Sequence, residues 1–293
     1  MDLATGVANG QGRHPIFSFG VIADVQYADI PDGHSFLGVR RYYRHSILVL
    51  QRAVKSWNDC KNLNFVINFG DIVDGKCPKD QSLDAVKKVV GEYPIMAVVM
   101  PTRTMTFHQP QVIDLLYWMD MIFSAIGWPI DHPNTLEAMK VLNEKNPNSN
   151  KNSPEGLEGV DRRFVMFNGA VGKEQMEWLN SVLQDATNME QKVIVCCHLP
   201  LDPGATSKTT LLWNYDQVMD VIHRYDCVKV CLSGHNHEGG YSIDSHGVHH
   251  RVLDAALECP PGTDAFGYID VYDNMLSLVG TDRLENTDFS FDS

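Results

Sequence analysis

Apolar positions along the chain fall into two patterns. Ile16 to Ala23, Leu63 to Phe69, Val193 to Cys197 and Val228 to Leu232 are short unbroken runs rich in β-formers, the mark of buried strands. Between them the spacing turns helical. From Arg40 onward, Tyr43, Ile47, Leu50, Val54 and Trp57 recur at intervals of four, three, four and three, one face of an amphipathic helix. Lys173 to Ala186 places Met176, Leu179 and Leu183 on one face, and Tyr215 to Tyr225 does the same with Val218, Val221 and Ile222. Strands alternating with helices predict an α/β fold of sheets covered by helices. Phe266 to Val279 reads as a β-hairpin around Asp273-Asn274, and Lys145 to Glu158, rich in Asn, Pro, Lys and Gly, as a long surface loop. With no repeat and no clear linker, the expected organisation is a flexible tail over 1–14, a single domain over 15–286 and a C-terminal tail over 287–293.

The chemistry gathers where the apolar runs stop. They end on Asp24-Val25-Gln26, Gly70-Asp71-Ile72-Val73-Asp74-Gly75, His198-Leu199-Pro200 and Gly234-His235-Asn236-His237. In α/β sheets, functional groups collect at the carboxyl ends of strands. Carboxylate oxygen together with neutral imidazole suits Mn, Fe and Zn, and a two-cation site needs one carboxylate to bridge the ions, for which Asp71 is the natural candidate. Taken singly each piece is weak: an Asp after a strand is more often a helix cap, and a lone His such as His198 more often a satisfied core or surface residue. Four such pieces in one order, each directly after an apolar strand, favour metal.

Charge sharpens this picture. Lys plus Arg number 24 against 37 for Asp plus Glu, a net charge of -13, which leaves no broad basic face for nucleic acid. A phosphate substrate must then be met by bound cations, which Asp and His can hold. The seven cysteines, at spacings matching no zinc template, read as free thiols, and no apolar run has membrane-spanning length. The expected compartment is the cytoplasm, with no membrane and no nucleic-acid partner; the oligomeric state is not legible.

In this order the four motifs resemble the calcineurin-like metallophosphoesterase superfamily. Within it the chain is similar to the manganese-dependent ADP-ribose/CDP-alcohol diphosphatases, in which Gln replaces the usual His of the first motif, as Gln26 does here. The resemblance extends over Phe19 to Tyr27, Arg41-Tyr42-Tyr43-Arg44-His45-Ser46, Asn152 to Leu157, Leu212-Trp213-Asn214-Tyr215 and Gly234 to Tyr241. It implies two packed mixed β-sheets flanked by helices and two divalent cations, Mn2+. Asp24, Gln26, Asp71 and His237 would hold one ion and Asp71, His198 and His235 the other. The implied reaction is hydrolysis of the pyrophosphate bond of ADP-ribose, CDP-choline, CDP-glycerol or a related nucleoside diphosphate conjugate by metal-activated water. A catalytically impaired metal-binding relative and a phosphoesterase with another substrate are the competing readings. Arg41, Arg44 and His45 lie close in sequence to the first motif and are candidate phosphate ligands, although Arg on a helix is more often a solvated face.

One family feature is missing. The superfamily carries Gly-Asn-His after a third strand, its Asn completing the second metal site and its His acting on the phosphate or leaving group. No such triplet occurs in this chain, so no catalytic acid is identified. Where it belongs, 97–123 is atypical. If Thr104 to Gln109 are encoded ACT ATG ACT TTT CAC CAA, reading one base earlier with T in front gives Tyr-Tyr-Asp-Phe-Ser-Pro, which resembles the family. The expected origin is a splice product or gene model that lost the triplet and reads part of the next segment in the wrong frame; sequencing the transcript decides it. The shifted segment is expected to replace a core strand, and His108 is a weak substitute for the lost His.

Overall fold

The fold comes from a computed structural model that describes residues 14–36, 38–60, 63–93 and 128–291, together with 98–99, 105–107, 113–117 and 123–125. His108 and the tail residues 1–13 lie outside them.

The apolar runs become the centres of two six-stranded sheets. In the first, Phe17–Ile22 pairs in parallel with Leu63–Asn68, and that strand with Val98–Val99. On its other side Phe17–Ile22 pairs antiparallel with Phe266–Val271, which continues through Met275–Gly280 to Thr287–Ser290. In the second sheet Lys192–Cys196 lies parallel to both Val228–Ser233 and Ile113–Tyr117. His249–Val252 runs parallel to Val228–Ser233, and Gly240–Ile243 and Met105–Phe107 close the two edges antiparallel. Both sheets are therefore mixed, as the resemblance implied.

Alternation along each strand sends one set of side chains inward and the other outward. Phe19, Val21, Phe65, Ile67 and Ile269 of the first sheet meet Ile194, Cys196, Val230 and Leu232 of the second, forming a buried layer between the sheets. The outward set of the first sheet, Ile22 and Val66, packs against α1 (Ser46–Asp59) and α2 (Ser82–Gly91) through Ile47, Leu50, Trp57 and Val89. That of the second, Val193, Val195 and Cys231, packs against α4 (Lys173–Asn188) and α5 (Tyr215–Ile222) through Leu179, Leu183, Val218 and Ile222. The result is four layers, helices outside and sheets within.

Two expectations change. The helix read from Arg40 begins at Ser46, because Arg40–Arg41 forms a short antiparallel pair with Gly33–His34; Tyr43 is buried in the same cluster as the helix without belonging to it. The C-terminal tail is structured through Thr287–Ser290, an edge strand whose Phe289 is fully buried in the central layer. Its alternation is too short to stand out in the sequence. The described backbone of the atypical stretch forms strands where a core strand was expected, Val98–Val99 in the first sheet and Met105–Phe107 and Ile113–Tyr117 in the second. The hairpin at Asp273-Asn274 and the loop after α3 (Pro133–Lys145) are found as expected.

Candidate metal centre

The six sequence candidates converge at one end of the two sheets. Asp24 and Gln26 follow Phe17–Ile22, Asp71 follows Leu63–Asn68, His198 follows Lys192–Cys196, and His235 and His237 follow Val228–Ser233. Each strand stops abruptly. Among the described residues six non-glycine residues have positive φ, and four of them are Asp24 (51°), Gln26 (40°), Asp71 (48°) and His235 (66°). Left-handed backbone at a side-chain-bearing residue costs about 1–3 kcal/mol and persists only where the surroundings impose it, so the clustering marks a functional centre. Neighbouring glycines make room. A Cβ on Gly234 would stand 2.7 Å from Asp24 Oδ2, and one on Gly70, whose φ is +110°, would stand 2.7 Å from His198 Nδ1. Gly70→Ala is therefore expected to lower stability by about 1–3 kcal/mol and to displace His198. Urea denaturation checks this, and an unchanged midpoint would count against it.

The hydrogen bonds fix which atom of each candidate faces the centre. His198 Nδ1 lies 2.7 Å from the Phe69 carbonyl, which can only accept, so Nδ1 carries the hydrogen and Nε2 points inward. Asn168 Nδ2 donates to Arg163 O and Thr209 O, both at 2.8 Å, which turns its Oδ1 toward His235 Nε2 at 2.7 Å. His235 therefore donates from Nε2 and offers Nδ1. That Nδ1 lies 3.2 Å from His198 Nε2, which in turn is 3.6 Å from Asp71 Oδ1. Two imidazole nitrogens face each other beside a carboxylate, an arrangement that a cation between them satisfies. At the other end, His237 Nδ1 donates to Glu258 Oε1 at 2.8 Å and its Nε2 faces Asp24 Oδ1 at 3.6 Å. Gln26 Nε2 donates to Asp71 Oδ2 at 2.5 Å, which leaves Gln26 Oε1, like Asp24 Oδ1, buried without a hydrogen-bond partner. Buried oxygens without donors are rare and costly, and here they are the donor set a hard or borderline cation takes.

Charge follows the same geometry. Burial and the adjacent His198 hold His235 down to about 3, so it is neutral near pH 7, the form a metal ligand would need. Burial opposes charge on His237, but the Asp24 and Glu258 carboxylates outweigh it and raise the group to about 9. Burial likewise works against ionisation of Asp71, yet His198, His235 and Gln26 hold it below the usual carboxylate range. The site is built to keep a carboxylate charged beside a position that attracts a cation.

Two groups here escape the sequence motifs. Asn168 stands in an Asn-Gly pair that reads only as a turn, and Glu258 is an acid inside the otherwise apolar stretch Ala255 to Cys259. Glu258 is buried and also lies 3.8 Å from Arg283; a lone Glu in an apolar run is the signal that could have found it, because buried Glu is almost always paired. Of the other candidates, Arg44 is exposed and pairs with Asp29, as a solvated face would. Arg41 bonds Asp74 Oδ2 at 3.2 Å, which makes Asp74 a structural partner and no ligand. His45 opens α1 with its Nε2 buried and without a hydrogen-bond partner. A separate cluster of His223, Asp244 and His246 is explained without metal. Asp244 Oδ1 accepts from the turn amides of His246 and Val248, and Oδ2 from His223 and His250. The rings of His223 and His246 stack at 3.7 Å, so their nitrogens lie in parallel planes and do not aim at one point.

A search of protein-family models returns no match. Curated proteins do match. The manganese-dependent ADP-ribose/CDP-alcohol diphosphatase of Arabidopsis thaliana is 60% identical over 304 aligned positions, covering 94% of this chain and 98% of the relative. The enzyme of that name from Oryza sativa subsp. japonica is 56% identical over 319 positions, covering 100% of this chain and 99% of the relative. Since all of a 293-residue chain is aligned over 319 positions, part of the relative stands opposite gaps here. Among solved structures, a dimetal phosphatase from Danio rerio superimposes with a TM-score of 0.89 at 29% identity, covering 95% of this chain and 100% of that one.

Proposed function

The chain belongs to the family of manganese-dependent ADP-ribose/CDP-alcohol diphosphatases, and from that premise we propose that the strand-end cluster is its catalytic centre and splits the pyrophosphate bond of ADP-ribose or of CDP-alcohols such as CDP-choline and CDP-glycerol. The observation that carries the assignment is the inward convergence of His198 Nε2, His235 Nδ1 and Asp71, with Asp24 Oδ1 and Gln26 Oε1 buried and undonated beside them. Asp24, Gln26, Asp71 and His237 would hold one ion, and Asp71, His198 and His235 the other. When bound, the pair supplies Lewis-acid polarisation of the phosphate and acidifies the attacking water.

The chain's own residues do the positioning. Asp71 stands between the two groups, held by Gln26 on one oxygen and facing His198 with the other. Glu258 accepts from His237 Nδ1 and fixes its ring orientation, and the Phe69 carbonyl fixes the tautomer of His198. The substrate class fits the charge: an acidic chain meets a diphosphate through cations and not through a basic cluster. That balance also argues against nucleic acid as substrate. Among the described residues no helix is long and apolar enough to cross a membrane. All seven cysteines are free, which supports a reducing compartment such as the cytoplasm.

A second reading, a metal-binding chain impaired in turnover, is favoured by the missing Gly-Asn-His triplet and by the gaps opposite the rice relative. Steady-state hydrolysis of ADP-ribose and CDP-choline with added Mn2+, beside a chelated control, separates the two. Mn2+-dependent release of AMP and CMP is the expected result. Faster cleavage of a simple phosphate monoester would overturn the substrate assignment, and no turnover above the chelated control would favour the impaired reading.

A further inference from the structure

Asn168 has a placement that the ligand set does not explain. Its side chain is fully buried and its amide is locked from one end, Nδ2 donating to Arg163 O and Thr209 O, so that Oδ1 can only be presented to His235 Nε2. That nitrogen is the outer one of the ring; the inner one, Nδ1, faces His198. Asn168 is thus one atom layer too far out to be a ligand. The loop that carries it is clamped on both flanks. Trp213 accepts from Arg163 Nε at 2.7 Å through its carbonyl and donates from its amide to Gly169 O at 2.9 Å. The Asn214 side chain pairs with both the amide and the carbonyl of Val171, at 3.0 and 3.1 Å. On the opposite side Asn146 Nδ2 bridges Ser153 O and Phe164 O. These contacts come from Leu212-Trp213-Asn214-Tyr215 and from the loop containing Asn152 to Leu157, two stretches that contribute no side chain to the cluster of six.

We propose that Asn168 is a positioning residue for the second cation site, holding His235 as the Nε2–H tautomer so that its Nδ1 lone pair is aimed at the space shared with His198 and Asp71, and that the two stretches serve to hold Asn168. The proposal rests on the two-cation reading above. An outer partner of this kind fixes ring orientation and tautomer, and its removal lowers metal affinity without removing a ligand.

The test is Mn2+ titration of the full chain followed by electron paramagnetic resonance and calorimetry, with 15N-histidine NMR of the metal-free protein. Asn168→Ala is expected to weaken the weaker of the two Mn2+ steps by about 10–100-fold while the tighter step changes by less than about threefold. In NMR, the wild-type His235 signal should report the Nε2–H form and the Ala variant a mixture. Asn168→Asp keeps an acceptor toward His235 Nε2 but gives up the two donations to Arg163 O and Thr209 O, so it should restore the Nε2–H signal of His235 while lowering the urea midpoint. Wild-type affinity for both ions in Asn168→Ala would overturn the proposal. So would equal loss of both ions in Asn168→Ala with the His235 signal still that of the Nε2–H form, which would mean a role in folding alone. Wild-type protein that took up no Mn2+ would remove the two-cation reading and this inference together.

Discussion

Restoring the Gly-Asn-His segment and the shifted frame between Asp71 and Ser124 is expected to raise turnover of ADP-ribose at saturating Mn2+ by about 10²–10⁴-fold, the usual contribution of a positioned acid. The ligand set gives the reason. By the resemblance, Asp24, Gln26, Asp71 and His237 would make a complete set for one ion, whereas the other set, Asp71, His198 and His235, whose ligand atoms the structure brings together, lacks the Asn that the resemblance assigns to it. Affinity for the second ion should therefore fall more than for the first. On the proposed assignment, every inward-facing nitrogen or oxygen of the six would hold a cation, so none is left to protonate a leaving phosphate. His108 lies outside the described residues and supplies no structural support as a replacement. Assaying the two proteins side by side decides the matter, and equal turnover would show that the absent residues are not needed.

Asp71→Asn should lose Mn2+-dependent turnover by about 10²–10³-fold or more, the scale of removing one preorganised electrostatic group. Size is nearly unchanged, so the effect isolates charge and lone pairs. One carboxylate oxygen accepts Gln26 Nε2–H at 2.5 Å and the other faces His198 Nε2 at 3.6 Å. An amide has one oxygen to offer. If that oxygen keeps the bond to Gln26, an NH2 group faces the cation position; if the amide flips, two NH2 groups collide. Either way the shared ligand is lost to at least one ion, and the single negative charge between them is lost to both. Metal analysis of the purified variant, alongside its turnover, is the measurement. Two ions still bound per chain would sink the bridging role of Asp71.

How much of this was readable beforehand follows from the range of the interactions involved. The four apolar runs announce buried strands because a strand covered on both faces has no polar alternation to keep, and the structure places all four at the centres of the two sheets. Each candidate was readable because it lies within a few residues of the point where such a run stops. The edge strand Thr287–Ser290 was not, because four residues of weak alternation gain their order from pairing with Met275–Gly280. The start of α1 was misplaced for a similar reason: Tyr43 has the right spacing, but Arg40–Arg41 is held in a β-pair by Gly33–His34.

The sequence by itself determined the six candidate residues and the chemistry they favour, since donor type and position after a strand are local properties. It also exposed the missing triplet. Only the tertiary structure decided which nitrogen of each histidine faces the cations. The deciding acceptors are the Phe69 carbonyl for His198, Asn168 for His235 and Glu258 for His237, which lie 129, 67 and 21 residues away in sequence. A ring tautomer is set by what its far nitrogen touches, and a contact between residues so distant along the chain leaves no periodic trace; it exists only once the two sheets have packed.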